Sequence, residues 1–230
     1  MNVNGISHTN NVHGNSVAEA RSLRSTDDSC KLDLQNSIRG KYAIVLVGHS
    51  GNGYQGDRNA LCENIRHNIE KIMENHHPLT LTADDVIVIA GGTPEGIGAV
   101  YEVASDMNLG TLGIVASQGV EYRAPQCQKL ITVQNKDQND WTTRMPESGD
   151  EMVVAALRIA KEVGKGGELL AYNGGPQAYI EALSAAKDGH IVTLIRDFKP
   201  VDTGREQPFS IEDNLRELKN FGVKFQALSH

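Results

Sequence analysis

No stretch of this chain gathers lysine and arginine into a dense basic block, and acidic residues outnumber basic ones, 29 to 22 in 230 residues. A nucleic-acid partner held through phosphate contacts is therefore not expected. Cysteine is scarce. Cys30, Cys62 and Cys127 stand far apart and odd in number, with no paired metal spacing and no disulfide framework. That pattern fits a reducing compartment, so a cytoplasmic protein without a metal site is expected. No apolar run approaches membrane-spanning length, and the start lacks a basic segment followed by an apolar one. No membrane partner is expected, and the chain reads as soluble. Aromatic residues make up only 5%, with a single tryptophan, Trp141, in a polar loop over residues 135–149.

The signatures of several common enzymes are missing as well. No Walker lysine follows a glycine loop, which argues against a P-loop NTPase, and no Gly-x-Ser-x-Gly elbow occurs. His49 and Ser50 are adjacent, but neighbouring side chains in an extended segment point apart, and no third group is placed to orient them. His76-His77 reads as part of a solvated loop rather than a metal ligand pair. The run Gly91-Gly92-Thr93-Pro94-Glu95-Gly96-Ile97-Gly98 is similar to the cofactor turn of short-chain dehydrogenases. In those enzymes the turn follows the first strand and a tyrosine precedes a lysine by four positions. Here it follows the second strand, and none of the six tyrosines has such a lysine.

Residues 1–39 are rich in Asn and Ser, poor in large apolar side chains and without periodicity, the composition of a disordered polar tail. Polar starts of this kind also resemble those of effectors exported by bacterial needle systems, so export to a host cell is the alternative to a cytoplasmic location. Residues 40–230 read as one domain, since the chain length suits a single α/β core. Continuous β-branched runs, each suited to a strand covered on both faces, appear at residues 42–47, 86–90, 112–116, 129–133, 169–172 and 191–195. A short strand is predicted at 223–226. Helical patterns fall between them, at 56–75, from a first turn that holds Pro94, at 150–163, at 179–187 and at 211–220. This alternation predicts a Rossmann-like, doubly wound, mainly parallel α/β sheet in three layers, whose ligands bind at the carboxyl ends of the strands.

Three glycine turns fall at those ends. The most informative is Asn173-Gly174-Gly175-Pro176-Gln177-Ala178-Tyr179-Ile180-Glu181. A glycine pair between a strand and a helix lets backbone N–H groups close on a phosphate at the positive end of the helix dipole. Glu181 follows about one turn later, within reach of a sugar attached to that phosphate.

Together these turns resemble the LOG-like family, the cytokinin-activating phosphoribohydrolases often labelled lysine decarboxylases, and more broadly the SLOG superfamily of Rossmann-like nucleotide-binding domains. The resemblance covers residues 41–197. Gly48-His49-Ser50-Gly51-Asn52-Gly53-Tyr54 resembles the family's opening turn, and Val88-Ile89-Ala90-Gly91-Gly92 resembles its second strand and glycine loop. The family hallmark, Pro-Gly-Gly-x-Gly-Thr-x-x-Glu, is matched in register by Gly174, Gly175 and Glu181. Asn173, Gln177 and Ala178 depart from its proline, third glycine and threonine. A catalytic arginine in the family corresponds either to Arg158, by counting back without a gap, or to Arg144, through an insertion.

The resemblance implies a nucleotide ligand, held by Gly48, Ser50, Gly51, Gly91, Gly92, Thr93, Gly174, Gly175, Gln177 and Ala178, with no separate cofactor, and a homodimer. If the protein is an enzyme, Glu181 stabilises the oxocarbenium-like transition state or, as a base, activates water as an N-glycosidic bond breaks, with Arg158 or Arg144 as cationic partner. The altered phosphate loop favours a different reading, a non-catalytic sensor or carrier of a nucleotide or of an ADP-ribose-type ligand.

Overall fold

A computed structural model describes residues 26–51, 53–78, 80–135, 137, 139–201 and 215–226. Seven parallel strands make one sheet: β1 (Tyr42–Gly48), β2 (Val86–Ala90), β3 (Gly110–Ala116), β4 (Lys129–Val133), β5 (Gly167–Tyr172), β6 (Ile191–Ile195) and β7 (Lys224–Gln226). Their spatial order is β4-β3-β2-β1-β5-β6-β7. The predicted Rossmann-like, doubly wound α/β architecture is what forms. The order reverses beside β1, which pairs with β2 on one side and with β5 on the other. That reversal opens a crevice between the carboxyl ends of β1 and β5.

β1 is central because its side chains alternate between two cores. Ala43, Val45 and Val47 enter the core beneath α1 (Asp27–Ile38), α4 (Met152–Val163), α5 (Pro176–Lys187) and α6 (Leu215–Asn220). Tyr42, Ile44 and Leu46 enter the core beneath α2 (Arg58–Asn75) and α3 (Val100–Asp106). Each fully buried Val, Leu or Ile side chain contributes roughly 1.5–3 kcal/mol. α4 matters most to the first core, since eight of its residues, from Met152 to Ala160, are buried.

Several boundaries differ from the sequence reading, each for a local reason. Asp27–Ile38 is a helix rather than part of a polar tail. Thr26 caps it, its hydroxyl accepting from Ser29 N at 3.2 Å. Cys30, Leu34 and Ile38 recur every four residues and bury a single narrow stripe. Residues 1–25 lie outside the described ones. The segment after Pro94 forms a 3-10 turn at Gly96–Ala99 before α3 begins. α5 starts three residues early, at Pro176, where the fixed φ of proline suits the first helical position. Of the last predicted helix, residues 211–214 lie outside the described ones, and 215–220 are helical.

Candidate functional site

The β1 turn, the β2 turn and the start of α5 meet at the crevice. The β1 turn is fixed by its own tyrosine. His49 N–H donates to the Tyr54 hydroxyl at 2.7 Å, and that hydroxyl donates to the Tyr172 carbonyl at the end of β5, at 2.8 Å. The β2 turn is tied to the β1 turn by Ile97 N–H donating to the His49 carbonyl at 2.9 Å. Gly96 makes that approach feasible: its φ is +57°, and a Cβ there would fall 2.0 Å from the same carbonyl oxygen. Gly92 N–H donates to the buried Tyr101 hydroxyl at 3.0 Å, which anchors the other end of the turn.

These turns enclose a cavity of about 180 Å³ lined in part by Gly48, Ser50, Gly91, Thr93, Trp141 and Glu181. Gln177 and Ala178 also line it. Of the residues expected to hold a ligand, Gly92, Gly174 and Gly175 shape the turns without lining this cavity. Gly175 is the N-cap of α5. Gly51 lines an adjacent hollow of about 400 Å³, together with Pro94, Glu95 and Arg58. A larger hollow of about 730 Å³ runs along α2 and the face of β5, β6 and β7, past His67, Lys71, His76 and Lys224. No glycine turn opens into it, so the backbone donors of the crevice serve the smaller cavity.

Glu181 is only 8% exposed. Burial pushes its carboxyl up to about 8, the charge of Glu151 adds to that rise, and a hydrogen bond from Gln177 opposes it. Gln177 Nε2 donates to Glu181 Oε1 at 3.1 Å and to Glu151 Oε2 at 2.7 Å. Arg144 Nε donates to the other Glu151 oxygen at 3.0 Å. A reverse turn brings Arg144 there: Met145 N–H donates to the Asp150 carbonyl at 2.7 Å, and Met152 N–H to the Thr143 carbonyl at 2.9 Å. Four side chains thus form one chain of contacts, Arg144–Glu151–Gln177–Glu181, ending in the cavity.

The two candidate arginines part company here. Arg144 reaches the site indirectly, through Glu151. Arg158 lies on α4 with its guanidinium engaged by Asp150 and Asp188, and it does not line the cavity. Glu102 pairs with Arg58 at 2.8 Å, also away from the cavity.

Two residues at the site were not expected there from the sequence. Glu151 stands just before α4 and is 6% exposed. Trp141 is 57% exposed and forms the rim, and a Cβ on Gly119 would lie 3.4 Å from its ring. Its loop is held by Asn135 Nδ2 donating to the Thr142 carbonyl at 2.8 Å. A lone tryptophan in a polar loop was the only hint available. Among the described residues no His, Cys, Asp and Glu side chains cluster as metal ligands, and no helix is long and apolar enough to cross a membrane.

No protein-family model matches the chain, and no curated protein matches its sequence. Solved structures do match its fold. The molybdenum cofactor carrier protein of Chlamydomonas reinhardtii superposes with a TM-score of 0.50 at 14% identity, over 81% of this chain and 90% of that one. The molybdenum cofactor binding protein of the phototrophic bacterium Rippkaea orientalis gives 0.49 at 16% identity, over 80% and 88%. The likeness is one of fold: a Rossmann-like parallel sheet with flanking helices.

Proposed function

We propose that this chain binds a nucleotide or a nucleotide-like cofactor in the cavity between β1, β2 and α5, and holds it rather than cutting it. The observation that carries the reading is the convergence of the Gly48–Ser50 and Gly91–Thr93 turns with the half-exposed Trp141 on one cavity at the sheet's reversal point. Backbone N–H groups and the Ser50 and Thr93 hydroxyls suit phosphate oxygens, and an exposed indole suits the face of a heteroaromatic ring. A protein of the same fold carries the name of a cofactor carrier, which is consistent with a holding role.

Glu181 bears on whether the ligand is cut. A carboxyl held at about 8 keeps its proton at neutral pH, so it lacks the charge that would stabilise an oxocarbenium ion. Arg144 is engaged by Glu151. The second reading, a phosphoribohydrolase, draws support from the presence of Glu181 in the cavity. Incubation with nucleoside monophosphates, ADP-ribose and NAD, following both binding and base release, separates the two. Binding without release supports the carrier or sensor. Release that Glu181→Ala abolishes supports the hydrolase, and no binding of any of them overturns the nucleotide reading itself.

A further inference from the structure

We propose that the α5 end of the cavity receives the edge of the ligand's ring, a heteroaromatic edge with an N–H donor beside an acceptor, while the phosphate lies at the β1 and β2 turns. The inference rests on the nucleotide reading, and it reverses the polarity that the glycine-loop resemblance implies, with phosphate at Gly174-Gly175.

Gln177 carries the argument. Both of its amide hydrogens are committed, one to Glu151 Oε2 at 2.7 Å and one to Glu181 Oε1 at 3.1 Å. The amide cannot flip, because its carbonyl would then face the Glu151 carboxylate that Arg144 holds in place. The carbonyl oxygen is left over. No described residue donates to it, it is not fully buried, and Gln177 lines the cavity, so a ligand in the cavity is its natural partner. The site therefore offers an acceptor at the position where the resemblance expects bare backbone.

Glu181 supplies the complementary donor. Its side chain is more than nine-tenths buried and lines the same cavity. One oxygen takes the Gln177 hydrogen, and the other has no hydrogen-bond partner among the described residues. Buried beside the like charge of Glu151, the carboxyl keeps its proton, and the free oxygen presents an O–H. A carbonyl acceptor beside a carboxylic O–H donor matches the amidine edge of adenine or the lactam edge of hypoxanthine. Phosphate, which offers only acceptors, is disfavoured there by the Gln177 carbonyl and by the Glu151 charge.

Calorimetric titration of the full chain with AMP, IMP and ribose 5-phosphate tests this. Gln177→Leu should weaken AMP and IMP about tenfold through one lost hydrogen bond, and leave ribose 5-phosphate within twofold. Thr93→Val should weaken all three. The unmodified protein gives a second measurement that needs no variant. From pH 7.5 to 9.5 AMP itself does not titrate, but Glu181 does, so AMP affinity should fall about tenfold while that of ribose 5-phosphate holds. Glu151 is the charged side chain acting on Glu181, with Arg144 behind it. Equal losses of AMP and ribose 5-phosphate in Gln177→Leu, or an AMP affinity unchanged by pH, overturn the ring-edge assignment and leave nucleotide binding intact. Failure of all three compounds to bind overturns the nucleotide reading, and this inference with it.

Discussion

The Tyr54 hydroxyl donates to the Tyr172 carbonyl at 2.8 Å, which joins the first glycine turn to the end of β5 across the point where the strand order reverses. The same oxygen accepts the His49 N–H, so one side chain satisfies two backbone groups at the mouth of the crevice. Tyr54→Phe leaves both without that partner. A loss of roughly 1–3 kcal/mol is expected, measured as a lower urea midpoint with an unchanged slope. An unchanged midpoint would show that water replaces the hydroxyl at no cost.

Gly174 is required by both its conformation and its surroundings. Its φ is +118°, and a Cβ there would lie 2.7 Å from the Ala178 Cβ and 3.1 Å from the Gly48 backbone. Gly174→Ala should destabilise the fold by about 1–3 kcal/mol from backbone strain alone. The contacts push α5 away from the β1 turn, so ligand affinity should fall as well. Gly175→Ala is the control, since a Cβ at Gly175 meets nothing within 4 Å. If the two variants unfold together, close approach at Gly174 is not what holds the crevice.

Much of this arrangement was legible in the sequence, because strands buried on both faces announce themselves. Tyr42–Val47 and Val86–Ala90 are unbroken apolar runs, and the glycines that follow them mark where the chain must turn near a ligand. α1 was not legible, because only three of its twelve residues are buried apolar side chains while Leu32 points outward, which leaves almost no periodic signal. The partnership of Glu151 with Gln177 was hidden for a different reason. These residues are 26 apart in sequence, and only the convergence of the starts of α4 and α5 brings them to 2.7 Å. Counting residues back from Gly174 led to Arg158, a position in register, whereas the guanidinium nearest the site in the chain of contacts belongs to Arg144.

The two arginines should separate cleanly on substitution. Arg158→Ala removes half-exposed ion pairs to Asp150 and Asp188, so a cost of about 0–1 kcal/mol is expected, with ligand affinity unchanged. Arg144→Ala strips the buried Glu151 carboxylate of its cationic partner, and a cost of roughly 1.5–3 kcal/mol is expected. It also frees Glu151 to shift, so the Gln177 amide loses its fixed orientation and ligand affinity falls. Thermal unfolding and calorimetric titration of both variants check this. A loss of affinity in Arg158→Ala alone would restore the register-based assignment.

Glu181 should leave its mark on stability as a function of pH. Its carboxyl titrates near 8 in the folded protein, against an ordinary value of 4.5. Between those values the folded chain holds a proton that the unfolded chain releases. Stability from this group is therefore complete below about pH 4.5 and is lost as pH rises toward 8, at up to about 1.4 kcal/mol per pH unit, then levels off. Over the whole window the loss is on the order of a few kcal/mol. Glu181→Gln removes the titration and keeps an acceptor for the Gln177 amide. Subtracting the two pH–stability curves removes the contribution of carboxyls remote from this site. The variant should match the parent near pH 5 and exceed it near pH 9. Parallel curves would mean that Glu181 ionises in the folded protein much as it does in water, and the carboxylate needed by a hydrolase would then be present after all.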